Sequence, residues 1–222
     1  MLAQPPAPTQ SAAPKAPAES PLMHPELLKA KAPELFRVKF VTTKGDILIE
    51  VHRDWAPIAA DRFYNLVKNR FFTDASFFRV VKGFMAQFGI PANPKIAAVW
   101  QPANIKDDPV KQSNKKGMLS FANTGQPNSR AAQMFINLAD NTFLDRQDAP
   151  FAPFGTVTEG MDVVMSLYSD YGDAPPQGHG PDQGRVQAEG KAYLDKSFPK
   201  LDSIKSATIL PAEGAAPAAP KK

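Results

Sequence analysis

Cysteine is absent from this 222-residue chain. Its absence excludes disulfide scaffolds, thiolate zinc sites, iron–sulfur clusters and thiol nucleophiles. It leaves the compartment open, because a cysteine-free chain is stable in reducing and oxidising surroundings alike. Apolar runs of about 18 residues are also missing, so no membrane span is expected. Charge of one sign is scarce: the formal net charge is +4, half of it in the two ends, and Lys115-Lys116 is the only basic doublet between them. That balance is too weak to argue for nucleic acid, and the doublet reads as a solvated loop.

Familiar catalytic signatures are missing too. His24, His52 and His179 belong to no His-Glu-x-x-His pair and flank no Gly-x-Ser-x-Gly elbow. His179 with Asp182 supplies at most two ligands in a Gly-rich loop, so no metal site is expected. Gly178-His179-Gly180-Pro181-Asp182-Gln183-Gly184 misses the dinucleotide fingerprint by one residue and follows no strand, and no Walker pattern exists. No cofactor is expected.

What is present is unevenly placed. Of 23 prolines, eight lie in residues 1–33 and three in residues 211–222, whereas all fifteen phenylalanines fall between Phe36 and Phe198. Segments without aromatic residues bury too little apolar area to offset their ordering entropy. Residues 1–33 and 211–222 are therefore expected to be disordered tails around one domain at 34–210. Met1-Leu2-Ala3-Gln4-Pro5 lacks a basic and an apolar leader region but looks like the last residues of one. On that basis an exported, periplasmic protein is expected if the start is late, and a cytoplasmic one otherwise.

Within the domain, Phe36, Val38, Phe40 and then Ile47, Ile49, Val51 alternate around Thr43-Lys44-Gly45-Asp46, the pattern of a β-hairpin. Pro57 opens a helical spacing over 58–71, and Met161–Leu167 reads as a second helix. Further strands are expected at 76–81, 84–88, 117–122, 133–138, 154–158 and 204–210. About eight short strands and two helices predict a mainly β fold, a closed eight-stranded antiparallel β-barrel capped by two α-helices. The segments 91–114 and 170–199 are rich in turn residues and read as long loops, functional rims or poorly ordered.

One cluster carries chemistry. Period two puts Phe77, Arg79 and Val81 on one strand face, and a turn at Lys82-Gly83 brings Arg79 opposite Ala86–Gln87. Gln133 and Phe135 share a face, with Met134 and Ile136 turned to the core. Amides beside aromatics beside an arginine describe a shallow peptide-binding groove.

Phe78-Arg79-Val80-Val81-Lys82-Gly83-Phe84-Met85-Ala86-Gln87 resembles the central signature of the cyclophilin-type peptidyl-prolyl cis–trans isomerases. Gly117–Asn123, Gln133-Met134-Phe135-Ile136 and Phe154-Gly155-Thr156-Val157 recur in the family's order and near its spacing, so the resemblance spans about 36–210. It implies an enzyme that rotates X–Pro bonds in proline-containing polypeptides during folding, acting as a monomer without a cofactor. It also implies that Arg79 is catalytic, that Phe84, Met85, Phe135 and Leu144 seat the proline ring, and that Gln87, Ala122, Asn123 and Gln133 line the peptide groove. Phe143 stands where many members have Trp, Phe151 and Phe78 where histidines are common, and Gln126 resembles a one-residue insertion. A non-enzymatic module that binds proline-containing chains, and a small-ligand carrier, remain as the competing classes.

Overall fold

A computed structural model describes residues 19–211. The leader-like start, and the tail expectations for 1–18 and 212–222, lie outside the described residues. The first hairpin follows its alternation: β1 (Leu35–Thr42) and β2 (Asp46–His52) bury every second side chain, and Val41 pairs with Asp46 at the turn. Seven further strands follow: β3 (Ala75–Ser76), β4 (Arg79–Val81), β5 (Met85–Phe88), β6 (Met118–Phe121), β7 (Met134–Asn137), β8 (Pro153–Glu159) and β9 (Ser203–Ile209). All pairings are antiparallel, in the order β3-β9-β1-β2-β8-β6-β7-β5-β4.

The expectation of a closed eight-stranded barrel is corrected by this ladder. The sheet has nine strands and curls into a half-barrel, with β3 and β4 as its edges. Those edges are consecutive in the chain, so Phe77 and Phe78 cross the seam covalently where a closed barrel would carry hydrogen bonds. The run expected as one strand over 76–81 is therefore broken, and Phe77 does not share a face with Arg79. Phe77 enters the main core against Phe88, while Phe78 packs with Ile90, Ala97, Val186, Tyr193 and Leu194. The alternation breaks between Phe78 and Arg79, which both lie off the main core, because Phe78 is buried in a second cluster of its own.

The concave side is filled. Phe63 of α1 (Pro57–Lys68) meets Phe40, Phe72 and Phe154 at ring separations of 6.2, 5.7 and 5.3 Å, and Phe40 meets Phe88 edge-on at 5.7 Å. Pro57 opens this helix after Ala56, which has no capping side chain. Asp108 caps it from afar, accepting from the Ile58 and Ala59 N–H groups at 3.1 and 2.8 Å.

Two helices prove too few. The segments read as loops contain α2 (Pro94–Trp100), α4 (Gln183–Glu189) and α5 (Lys191–Ser197), alongside α3 (Met161–Met165). Asn93 and Asp182 cap α2 and α4 by accepting from Lys95 and Arg185 N–H groups. Each of these helices has seven residues, so its stability comes from the cluster around Phe78 that α2, α4 and α5 share.

Part of the stretch expected as an N-terminal tail is described by the structure. Residues 19–33 lie on the domain: Leu22 and Ala32 are buried, Trp100 Nε1 donates to Leu22 O at 2.8 Å, and the Asn65 amide pairs with both backbone groups of Ala30. Nearby, Arg62 lies 5.0 Å over the Trp100 ring with its Nη1 buried and without a hydrogen-bond partner among the described residues. Burial pushes its pKa down to about 10. A cation whose folded-state pKa is depressed opposes folding at all pH values below that pKa, and the cost fades only as pH rises towards the unfolded value. Arg62→Met keeps the apolar contact and removes the unpaired charge, so it is expected to raise stability at pH 7 by about 1–2 kcal/mol in urea unfolding. An equal loss would mean that the ring contact outweighs the desolvation.

Candidate active site

The convex side of β4, β5, β7 and β6 carries the groove. Register does the positioning: Arg79 pairs with Gln87, and Gln87 with Phe135, so these side chains line up across three strands. Their neighbours Val80, Ala86, Met134 and Ile136 face the core. Met85, two residues before Gln87, joins the same outer face beside Phe135 and Leu144.

Arg79, Phe84, Met85, Gln87, Ala122, Asn123, Gln133, Phe135, Leu144 and Phe151 line one cavity of about 370 Å³. Its apolar end is a separate small cluster, Met85, Phe135 and Leu144, flanked by Val81, Phe84, Ala122 and Phe151. Phe135 and Phe151 meet edge-on at 5.5 Å. Phe143 lies outside this lining: it is 57% exposed and stacks on Phe84 at the rim. A single 3-10 turn, Thr142–Arg146, separates the two neighbours, with Leu144 buried and Phe143 turned out.

The polar end is a chain of amides leading from the guanidinium. Arg79 Nη1 donates to Gln87 Oε1 at 3.0 Å, and Gln87 Nε2 donates to Gln133 Oε1 at 2.9 Å. Asn123 Nδ2 donates to Ala149 O at 2.8 Å, tying the β6 end to the loop before Phe151. Asp173 binds Arg79 in two places, accepting from Nε at 2.8 Å and from Nη2 at 2.6 Å. The Arg79 guanidinium beside it, with help from the Ala174 N–H, holds the Asp173 carboxyl below the usual carboxylate range.

Beneath the apolar end runs a buried amide network. Asn114 Nδ2 donates to Asp145 Oδ1 and Phe151 O, and Asn114 Oδ1 accepts from Ser120 and Asn137. Asn141 Nδ2 donates to Asn137 Oδ1 and to Phe84 O. Phe84, Leu144 and Phe151 are thereby held from below through their own or neighbouring backbone. Arg130 supports the far rim: it is buried, ion-paired with Asp107, hydrogen-bonded to Pro150 O, and 5.7 Å from the Phe151 ring.

Sequence reasoning missed Asp173, Arg130, the Asn114 network and the extension of the cavity past Ile90 and Gln101 to Gln183 and Gln187. The signals available were the Gly-rich spacing after Asp173 and the cap residue Asp182 that starts α4.

The site is thus a long groove with an apolar pocket at one end and guanidinium and amide groups at the other. The family model for cyclophilin type peptidyl-prolyl cis-trans isomerases matches residues 37–182. A peptidyl-prolyl cis-trans isomerase of Acinetobacter baylyi is 42% identical over 145 residues, covering 64% of this chain and 76% of that protein. Peptidyl-prolyl cis-trans isomerase B of Escherichia coli is 37% identical over 174 residues, covering 75% and 94%. Among solved structures, a cyclophilin type isomerase of Cryptosporidium parvum aligns with a TM-score of 0.59 at 20% identity, over 80% of this chain and 99% of that one, a likeness of fold. The chain belongs to the cyclophilin-type peptidyl-prolyl cis–trans isomerases and is an isomerase enzyme.

Proposed function

We propose that the protein accelerates rotation about X–Pro bonds by seating the proline ring against Met85, Phe135 and Leu144 while Arg79 stabilises the twisted amide. The observation that carries this reading is the register that lines up Arg79, Gln87 and Phe135 on one face. An X–Pro amide resists rotation because the nitrogen lone pair is delocalised into the carbonyl, a barrier of roughly 18–20 kcal/mol. In the twisted state the lone pair localises on nitrogen and becomes a hydrogen-bond acceptor. A guanidinium is permanently charged and presents a rigid fork of donors. A bond formed only near that state is differential binding, and lowering the barrier by ~7 kcal/mol gives about five decades in rate.

No covalent bond is made or broken, so the reaction requires neither nucleophile nor cofactor. Gln87, Asn123 and Gln133 present amides that hold the peptide backbone beside the ring. The filled aromatic interior argues against the carrier reading, since it leaves no room for a ligand inside the sheet. NMR exchange spectroscopy on a short Ala-Pro-Phe peptide tests the rest. Cis/trans exchange well above the spontaneous rate is expected; saturable binding with no acceleration would leave only the binding module.

The exposed rim residue bears on inhibition. By family analogy, cyclosporin is expected to inhibit weakly, because Phe143 offers no N–H donor where an indole would. Phe143→Trp restores the donor without disturbing the core, and is expected to tighten inhibition about tenfold, the net worth of roughly one hydrogen bond. Nanomolar inhibition of the unmodified protein in a titration would contradict this.

A further inference from the structure

We propose that Asp173 is a positioning residue for Arg79, holding the guanidinium side-on so that its remaining donors face the groove. The inference rests on the isomerase reading of Arg79 given above. A guanidinium has five N–H groups. Three are engaged: Nε and Nη2 with the two carboxylate oxygens of Asp173, and Nη1 with Gln87. Nη1 also reaches Met85 Sδ at 4.0 Å, a weak acceptor, so one N–H on Nη2 remains for a substrate and the second on Nη1 is held only by that thioether. The pairing is the bidentate fork that fixes orientation as well as distance. Both partners are about three-quarters buried, which limits the solvent screening that makes exposed pairs weak.

The segment around Asp173 is built to hold it still. Gly180 N–H donates to Asp173 O at 2.7 Å, and Ala174 N–H donates to Asp173 Oδ1 at 2.8 Å. The chain folds so tightly here that a Cβ on Gly178 would lie 2.3 Å from Asp173 O. Tyr168, Tyr171, Phe198 and Tyr193 form a continuous edge-to-face series at 4.9–5.5 Å that pins the segment to α5. Phe78, adjacent to Arg79 in sequence, is buried against α4 and α5 of the same segment. The carboxylate and the guanidinium are thus each mounted on parts of one packed unit. A latch that withholds Arg79 until substrate displaces it would use the same ion pair, and it predicts the opposite kinetic sign.

The experiment uses the full chain, with exchange rates on a proline peptide measured as kcat and KM for wild type, Asp173→Ala, Asp173→Asn, Gly178→Ala and Arg79→Ala. The Arg79 Nε–Hε resonance is followed by ¹⁵N NMR. Asp173→Ala is expected to lower kcat about tenfold with KM within twofold, and to broaden the Nε–Hε signal. Asp173→Asn, similar in shape and with one acceptor left, should recover part of kcat, and it carries the test if the alanine variant fails to fold. Gly178→Ala keeps the carboxylate but displaces it, so it should shift kcat in the same direction. An unchanged kcat with an unchanged resonance overturns the proposal, and a raised kcat overturns it in favour of the latch. If wild type fails to accelerate exchange, the isomerase reading of the groove falls; if Arg79→Ala is as fast as wild type, only the role given to Arg79 falls.

Discussion

Arg79→Ala is expected to lower kcat/KM for X–Pro isomerisation by two to three orders of magnitude. Removing one preorganised donor to a developing lone pair or oxyanion costs about 2.7–4 kcal/mol in a partly desolvated site, which corresponds to that loss. The loss should appear in kcat more than in KM, because the bond to nitrogen exists only in the twisted state. The apolar cluster of Met85, Phe135 and Leu144 is untouched, so peptide affinity should change by less than tenfold. Arg79→Lys keeps the charge without the fork and should fall between the two. Exchange spectroscopy with a cis/trans-resolved peptide measures both constants. An Arg79→Ala enzyme within threefold of wild type would remove the arginine from the mechanism.

The second large effect concerns stability. Asn114 is fully buried and its side chain makes four hydrogen bonds, to Asp145, Phe151 O, Ser120 and Asn137. Asn114→Ala leaves the Ser120 hydroxyl and the Phe151 carbonyl without that partner in a site closed to water. Each orphaned buried group costs about 1–3 kcal/mol, so a loss of about 3–4 kcal/mol is expected. Asp145 sits on the 3-10 turn that presents Leu144, and Phe151 walls the pocket, so a rise in KM should accompany the lost stability. Urea unfolding with exchange kinetics on the same sample reads both. A change below 1 kcal/mol would mean that water enters and replaces the amide.

The site was more legible in the sequence than the sheet that carries it. Period two separates Gln133 and Phe135 from Met134 and Ile136, and the Lys82-Gly83 turn sets Arg79 against Gln87; both are local statements, and the pairing register agrees with them. Phe143 stands apart from the lining because the 3-10 turn sends adjacent residues in opposite directions, which a motif match does not encode. Closure was not legible, since strand count says nothing about which edges meet. The seam is set by Phe77 and Phe78, whose burial on opposite sides depends on elements far along the chain. Seven-residue helices such as α4 and α5 give too short a periodicity to rise above a Gly- and Pro-rich background, although Asp182 marks a start. The ordered stretch 19–33 hid for the same reason: Leu22 and Ala32 are isolated anchors with no repeating pattern. Asp173 lies 94 residues from Arg79, and nothing near it in sequence announces an opposite charge.

The Asp173–Arg79 pair has an electrostatic consequence for the whole face. Arg79 is the one charged side chain among the residues lining the cavity, and its charge is cancelled where it stands. The lining itself therefore contributes little long-range field, and any salt dependence of peptide encounter is expected to arise from charges beyond it.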